Sequence, residues 1–410
     1  MSNASQSRSL RVLLTEGSST SARQAVTLLG RAGHRVEVCD PGRFGLARFS
    51  RHVAAWHRCP GLRDDPLGFL DFVRDLNARE RFDVVLPIHE QGLAMATIPS
   101  QFPNAALPSF SSYRTTHSKA GFSRLLNGLG LAQPPTRIVS NPFDLRAAIH
   151  YPCIVKTSIG TASRGVWRVR GAQDLVSVLA ALDGYDGEVL IQDLIEGALE
   201  KAQAVFSRGE LLGFHAYRQL VEGAGGGDAM KESVARQGVR DDMAALGRAL
   251  DWHGALSVDY ILSGDERPQY IDCNPRLVEP MSAHLAGVDL IGVLLAISLD
   301  EKPNALPTSR TGIVSHQAMQ MLLGAGLRGG TRRDLIRTCR DTWLGRRAFS
   351  NSVEELTPSQ DDRRSAIPLA ITAAILMVAP QSAATLARRG FGAHLLNERA
   401  IALLAASEKV

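Results

Sequence analysis

The stretch that most constrains this chain runs from Ser257 to Glu279, S-V-D-Y-I-L-S-G-D-E-R-P-Q-Y-I-D-C-N-P-R-L-V-E. Two runs rich in β-branched and aromatic residues flank Ser263-Gly264-Asp265-Glu266, which reads as a hairpin with a short turn. Pairing symmetric about that turn brings Asp259 roughly opposite Asp272. Asn274 then shares a face with Asp272, because strand side chains alternate, while Ile271 and Cys273 point the other way. Two carboxylates side by side repel, so a positive group is expected between them. A hard divalent cation such as Mg²⁺, or Mn²⁺ in its place, fits. On the residues alone, an exposed hairpin with scattered acids is an equal alternative.

Length and charge bound the rest. At 410 residues the chain should hold two or three domains with ample core. A formal charge of +5 suits anionic small substrates and is too weak to argue for nucleic acid. Cys39, Cys59, Cys153, Cys273 and Cys339 lie far apart with no CxxC spacing, which suggests neither a zinc site nor a disulfide framework. Met1 to Arg11 is polar and lacks an apolar signal core. The longest apolar run, Ile367 to Ala379, is too short to span a bilayer and has Pro368 near its start. The expectation is a soluble, cytoplasmic protein without a membrane partner.

In chain order, Leu10 to Leu14 reads as a buried strand, followed by a helix with Ala22, Val26, Leu29 and Ala32 on one face. Gly33 ends that helix and Arg35 to Cys39 makes a second strand, a βαβ start to a doubly wound sheet. The intervening loop has only Gly17 and does not match GxGxxG, which argues against a dehydrogenase. A helix near Pro66 to Glu80 and the strand Phe82 to Pro87 lead to His89-Glu90. At a strand's carboxyl end this pair is a substrate-contact candidate; capping the next helix is the plainer reading. From Ser112 a new unit begins. It includes a helix from Lys119 to Leu129, a helix over Pro142 to Ile149, and the strand Tyr151 to Lys156. Next come the small-residue loop Thr157 to Gly165, which leaves N–H groups to cradle phosphate, and the strand Val166 to Val169. Later come the strands Glu188 to Gln192, Lys201 to Ser207 and Leu211 to Arg218. Gly225-Gly226-Gly227 favours a mobile lid over an ordered turn, with Lys231 and Glu232 at its far end.

The order of these elements resembles the ATP-grasp superfamily over roughly Arg11 to Leu295. The points of resemblance are H-S-K119, I-V-K156 with its loop, I-Q192-D-L-I-E-G197, the Gly-rich segment before K-E-S233, S-V-D259-Y and I-D272-C-N274-P-R276. Carboxylate–amine ligases are the nearest relatives in pattern, with carbamoyl-phosphate synthetase and biotin carboxylase branches further off. The implied fold class is α/β: a Rossmann-like pre-ATP-grasp domain over 1–112, then an ATP-grasp domain of two α+β lobes over 113–301. Its lid lobe is expected at about 151–196, and a mainly helical C-terminal region covers 302–410.

The resemblance also implies roles. Lys119 and Lys156 would hold ATP phosphates, with Ser163 and Gly165 in the loop closing over them. Gln192, Asp193 and Ile195 would border adenine, and Glu200 the ribose hydroxyls. Asp259, Asp272 and Asn274 would be metal ligands; the family usually carries Glu at the first two, and the shorter Asp puts the number of metals in doubt. Arg276 and Lys231 would be catalytic, and His89, Glu90, Arg218 and Glu279 substrate contacts. The implied reaction uses ATP and Mg²⁺ to make an acyl phosphate that an amine converts to an amide. Transfer to a non-amine acceptor and a non-catalytic ATP-binding protein are the alternatives.

After Lys302, Ser315 to Leu327 and Thr331 to Leu344 look helical, the second with Arg332, Arg333, Arg337 and Arg340, best read as a solvated face. Ile367 to Ala379 is apolar all round, which predicts a helix buried in the core or a homodimer contact.

Overall fold

The computed structural model describes residues 8–160, 164–264, 266–388 and 392–407. Ser163 of the phosphate loop and Asp265 of the hairpin turn lie outside them.

The first layer follows the local rules closely. Arg11–Leu14, Arg35–Cys39, Val53–His57 and Val84–Leu86 form a parallel sheet in the order 53–57, 35–39, 11–14, 84–86. The helix Thr20–Arg31 crosses between the first two strands. Ser19 caps it by accepting the Ala22 N–H, and Ala22, Val26 and Leu29 are fully buried on its inner face. Pro66–Glu80 is a helix with Asp65 as cap and Pro66 at its first position, ended by Arg81 at φ 53°. Val53–His57 is an edge strand that the sequence reading misses, since it is only partly buried.

The second layer is a seven-stranded sheet in the order Pro268–Asn274, Gly254–Leu262, Ala198–Ser207, Glu210–Glu222, Asp228–Val234, Val314–His316 and Ser352–Glu354. The last two strands extend it from the region after Lys302, and they pair parallel to one another. A third, antiparallel sheet takes Thr136–Val139, Val189–Asp193, Cys153–Thr157 and Val166–Val169. It thus draws its edge strand from before Tyr151, and has its own core of Val155, Val169, Leu175, Val178 and Ile191.

Four expectations change. Pro142 to Ile149 is a 3-10 turn, Pro142–Asp144, and a single helical turn, Leu145–Ala148, which ends where Ile149 turns extended at ψ 145°. Ser315 belongs to a strand, and the helix begins only at Ala318, whose N–H is bonded by Glu354. Gly225 to Gly227 form an ordered turn and not a loose lid. Gly223 N–H donates to Gly227 O, Gln320 accepts the Ala224 N–H, and Gly225 and Gly226 supply φ of 64° and 75°. Finally, the helix Ala366–Val378 is not buried in the core: only Leu376 is fully enclosed, while Ile371 and Val378 are 50% and 74% exposed.

Candidate active site

The hairpin builds the centre of the site. Gly254–Leu262 and Pro268–Asn274 pair antiparallel with Asp259 opposite Asp272 and Ser257 opposite Asn274. A bulge follows, so that Tyr260 faces Tyr270 and Ile271 has no register partner. Its carbonyl instead accepts from Lys156 Nζ at 2.7 Å. Burial raises the Asp259 carboxyl to about 6; Lys201, opposite it on the next strand, works against this and Asp272 reinforces it. The Asp259 carboxylate and the Asn274 side chain take part in no hydrogen bond among the described residues. Asp272 Oδ1 accepts the Cys273 N–H at 3.0 Å, and two carboxylates and an amide on adjoining strands fit a hard oxygen-seeking cation.

Two lysines reach this face from different elements. Lys119 opens the helix Lys119–Leu129 after the cap Ser118; its Nζ lies 3.4 Å from Asp272 Oδ1 and donates to Gly160 O. Lys156 stands on the third sheet and bonds Gln192 Oε1 at 2.7 Å as well as Ile271 O, so one buried ammonium ties the small sheet to the large one. Burial lowers its pKa to about 8, against the attraction of Asp272. The loop between Thr157 and Gly165 demands glycine at two points. A Cβ on Gly165, at φ 74°, would sit 2.1 Å from Thr157 Oγ1, and one on Gly160 would sit 2.4 Å from Arg164 O. Of the segment expected at adenine, Gln192 is held by Lys156 and Thr136, and the Asp193 N–H is used by Pro135 O. Ile195 follows just beyond that strand.

Other candidates bind one another. Glu200 is fully buried, and its carboxylate accepts from Arg218, Arg236 and Tyr260 at 2.7–3.1 Å. Lys231 is enclosed between Glu279 Oε2 at 2.6 Å and Glu355 Oε2 at 3.0 Å, over the Tyr217 ring. Burial pulls its pKa down, but Glu279 and Glu355 outweigh this and hold it raised. Glu279 also accepts from Thr20 and Gln317 and so joins the first layer to the C-terminal strands. Burial lowers the Arg276 pKa against Glu90, Asp272 and Asp259, and its buried Nε has no hydrogen-bond partner among the described residues.

At the carboxyl edge of the parallel sheet lies a second cluster that sequence reasoning missed. Glu16, Asp40 and His394 are fully buried, with His394 Nε2 3.1 Å from Asp40 Oδ2 and 3.9 Å from Glu16 Oε2. Burial opposes the charged imidazole, yet Asp40 and Glu16 hold its pKa raised, while burial raises that of Glu16. Donors fill the acids: Ser19 N–H and Oγ on Glu16; Gly17 N–H, Ser18 Oγ and Gly42 N–H on Asp40. Glu90 stands at the same edge and accepts the Leu396 N–H, while the His89 N–H bonds Gln91. The strand-end rule that singles out His89-Glu90 also covers Glu16 and Asp40; nothing local signals His394.

No family model matches the chain. Over 274 residues it is 25% identical to the carbamoyl phosphate synthase large chain of Deinococcus deserti, 59% of this chain but 26% of that protein. Its fold matches the L-amino acid ligase of Bacillus licheniformis with a TM-score of 0.60 at 15% identity, covering 76% of this chain and 80% of that one. A carboxyaminoimidazole ribonucleotide synthase from Aspergillus clavatus, complexed with ATP, matches with a TM-score of 0.60 at 17% identity, covering 76% and 82%.

Proposed function

We propose, from the premise that this chain is built on the ATP-grasp fold, that it is an ADP-forming ligase. It activates a small-molecule carboxylate as an acyl phosphate and joins it to an amine as an amide. The observation that carries this reading is the meeting of Asp259, Asp272 and Asn274 on one face with Lys119, 3.4 Å from Asp272, and Lys156 anchored alongside. The L-amino acid ligase among the similar structures agrees with an amine acceptor.

In this reading Lys119 and Lys156 hold the ATP phosphates, beside the loop that follows Lys156, whose Thr157 and Ser158 N–H groups donate to Gly165 O and Glu188 O. Mg²⁺, or Mn²⁺, on Asp259, Asp272 and Asn274 would supply neutralisation of phosphate charge. Arg276, with its unpaired Nε, orients the reacting carboxylate, whose oxygen attacks the terminal phosphorus as ADP leaves. Lys231, enclosed by Glu279 and Glu355, acts by fixing Glu279 in place beside the site. Such chemistry needs in-line placement and charge complementarity more than a protein nucleophile.

Among the described residues, no helix is long and apolar enough to cross a membrane. A cytoplasmic location belongs to the same reading, as does a homodimer through the exposed side of Ala366–Val378. The test is ADP release from MgATP with pooled carboxylic acids, with and without pooled amines. ADP that needs both pools and falls by about 100-fold in Asp272→Ala is the expected result. ADP release equal in the variant would remove the reading.

A further inference from the structure

His117 is the last residue of the helix Phe110–His117, and Lys119 begins the next; Ser118 caps both. The sharp turn brings the imidazole among the charges of the site: Glu90 from the parallel sheet's edge, Lys119 beside it, and Arg276 and Asp272 from the hairpin. His117 is 8% exposed, and its buried Nε2 has no hydrogen-bond partner among the described residues. That nitrogen faces Glu90 Oε2 at 3.8 Å, too far for a hydrogen bond. With the proton on Nδ1, Nε2 is an acceptor that faces a carboxylate whose Oε2 takes the Leu396 N–H. Leaving a buried polar atom unpaired costs about 1–3 kcal/mol, so a ligand that brings a donor is the natural complement.

An amine of ordinary basicity arrives as an ammonium and must lose a proton before it can attack. On the ligase reading above, we propose that His117 Nε2, with Glu90 beside it, is the base that takes this proton from the incoming amine. The freed nitrogen lone pair forms the C–N bond to the acyl carbon. The bond from the acyl carbon to the bridging phosphate oxygen breaks and its electron pair leaves with inorganic phosphate. The first proton resides on Nε2 until it passes to water, and the second, shed by nitrogen as the adduct collapses to the amide, leaves with the phosphate. Burial lowers the His117 pKa, Lys119 and Arg276 add to this, and Glu90 and Asp272 oppose it, which keeps the ring in its basic form.

The experiment compares two nitrogen acceptors with MgATP and pooled L-amino acids as the carboxylate source. One is hydroxylamine, which is uncharged at neutral pH and needs no base; the other is the L-amino acids' own ammonium groups. In His117→Gln, amide formation is expected to fall about 100-fold, while hydroxamate formation stays within about threefold of wild type. The pH profile of amide formation should lose its acidic limb in the variant. Equal losses with both acceptors, or none with either, would overturn the assignment. His117→Asn and thermal unfolding of both variants separate a lost base from a lost fold. A wild-type protein that makes neither amide nor hydroxamate from any acid would remove the ligase reading and this assignment with it.

Discussion

Two acid-rich places in this molecule lie close together and behave in opposite ways. On the hairpin, Asp259 and Asp272 face each other with a lysine 3.4 Å from Asp272 and, among the described residues, no donor on Asp259. At the edge of the parallel sheet, Glu16 and Asp40 are wrapped by backbone and hydroxyl donors and closed by His394. Carboxylates alone therefore say little about metal binding. What separates the two is whether the chain has already spent the oxygen lone pairs. The first cluster is arranged for something that arrives; the second is complete without it.

That contrast can be broken by exchanging damage between the two places. His394→Ala should have the largest effect on folding, about 3 kcal/mol in urea unfolding, because two buried acids lose their cation. Its ADP-forming activity at a temperature where the variant is folded should stay near that of the parent. Asp272→Ala should do the reverse, with activity down about 100-fold and stability changed by less than about 0.5 kcal/mol. Mg²⁺ at ten times its dissociation constant, with ATP present, should stabilise the parent and His394→Ala by about 1.4 kcal/mol and Asp259→Asn by much less. Equal responses in all three would place the cation elsewhere.

The smallest effect is one of pH. His394 has a raised pKa in the folded state, so its stabilisation is full below the unfolded value of 6.5 and is lost as pH climbs through the folded value. Glu16, also raised, adds the same sign: its ionisation above 4.5 weighs against the fold. Unfolding free energy of the parent should therefore fall more steeply between pH 6 and 9 than that of His394→Gln, by on the order of 1 kcal/mol. Parallel curves would show that His394 is neutral in the folded protein.

The hairpin was legible because strand alternation puts Asp272 and Asn274 on one face and a short turn brings Asp259 near them. Symmetric pairing alone would set Asp259 opposite Tyr270, and the observed register, shifted between Asp259 and Tyr260, makes Asp272 its partner. The bulge at Ile271 was not, since symmetric pairing cannot show where a residue drops out, and that bulge is what offers a carbonyl to Lys156. Glu200 with Arg218 and Arg236 needed the order of strands in the sheet, which local pattern does not carry. Three consecutive glycines look mobile by themselves, but Gln320, 96 residues away in sequence, holds their turn. The apolar run of Ala366–Val378 marks burial only if a partner covers it, and this chain leaves most of that helix outside. His394 meets Asp40 across 354 residues, beyond any periodicity.

The helix Glu398–Ser407 has a consequence for how the polypeptide is made. Leu396, Ala400 and Leu404 sit in the same apolar cluster as Phe69 and Val73 of the first layer, and Glu398 accepts from Tyr185, which packs against the small sheet's core. On the ribosome, the earliest layer must wait with this flank bare until residues near 404 have left the exit tunnel. Folding here cannot run simply from first residue to last, and the interval of synthesis is when this protein most needs a chaperone.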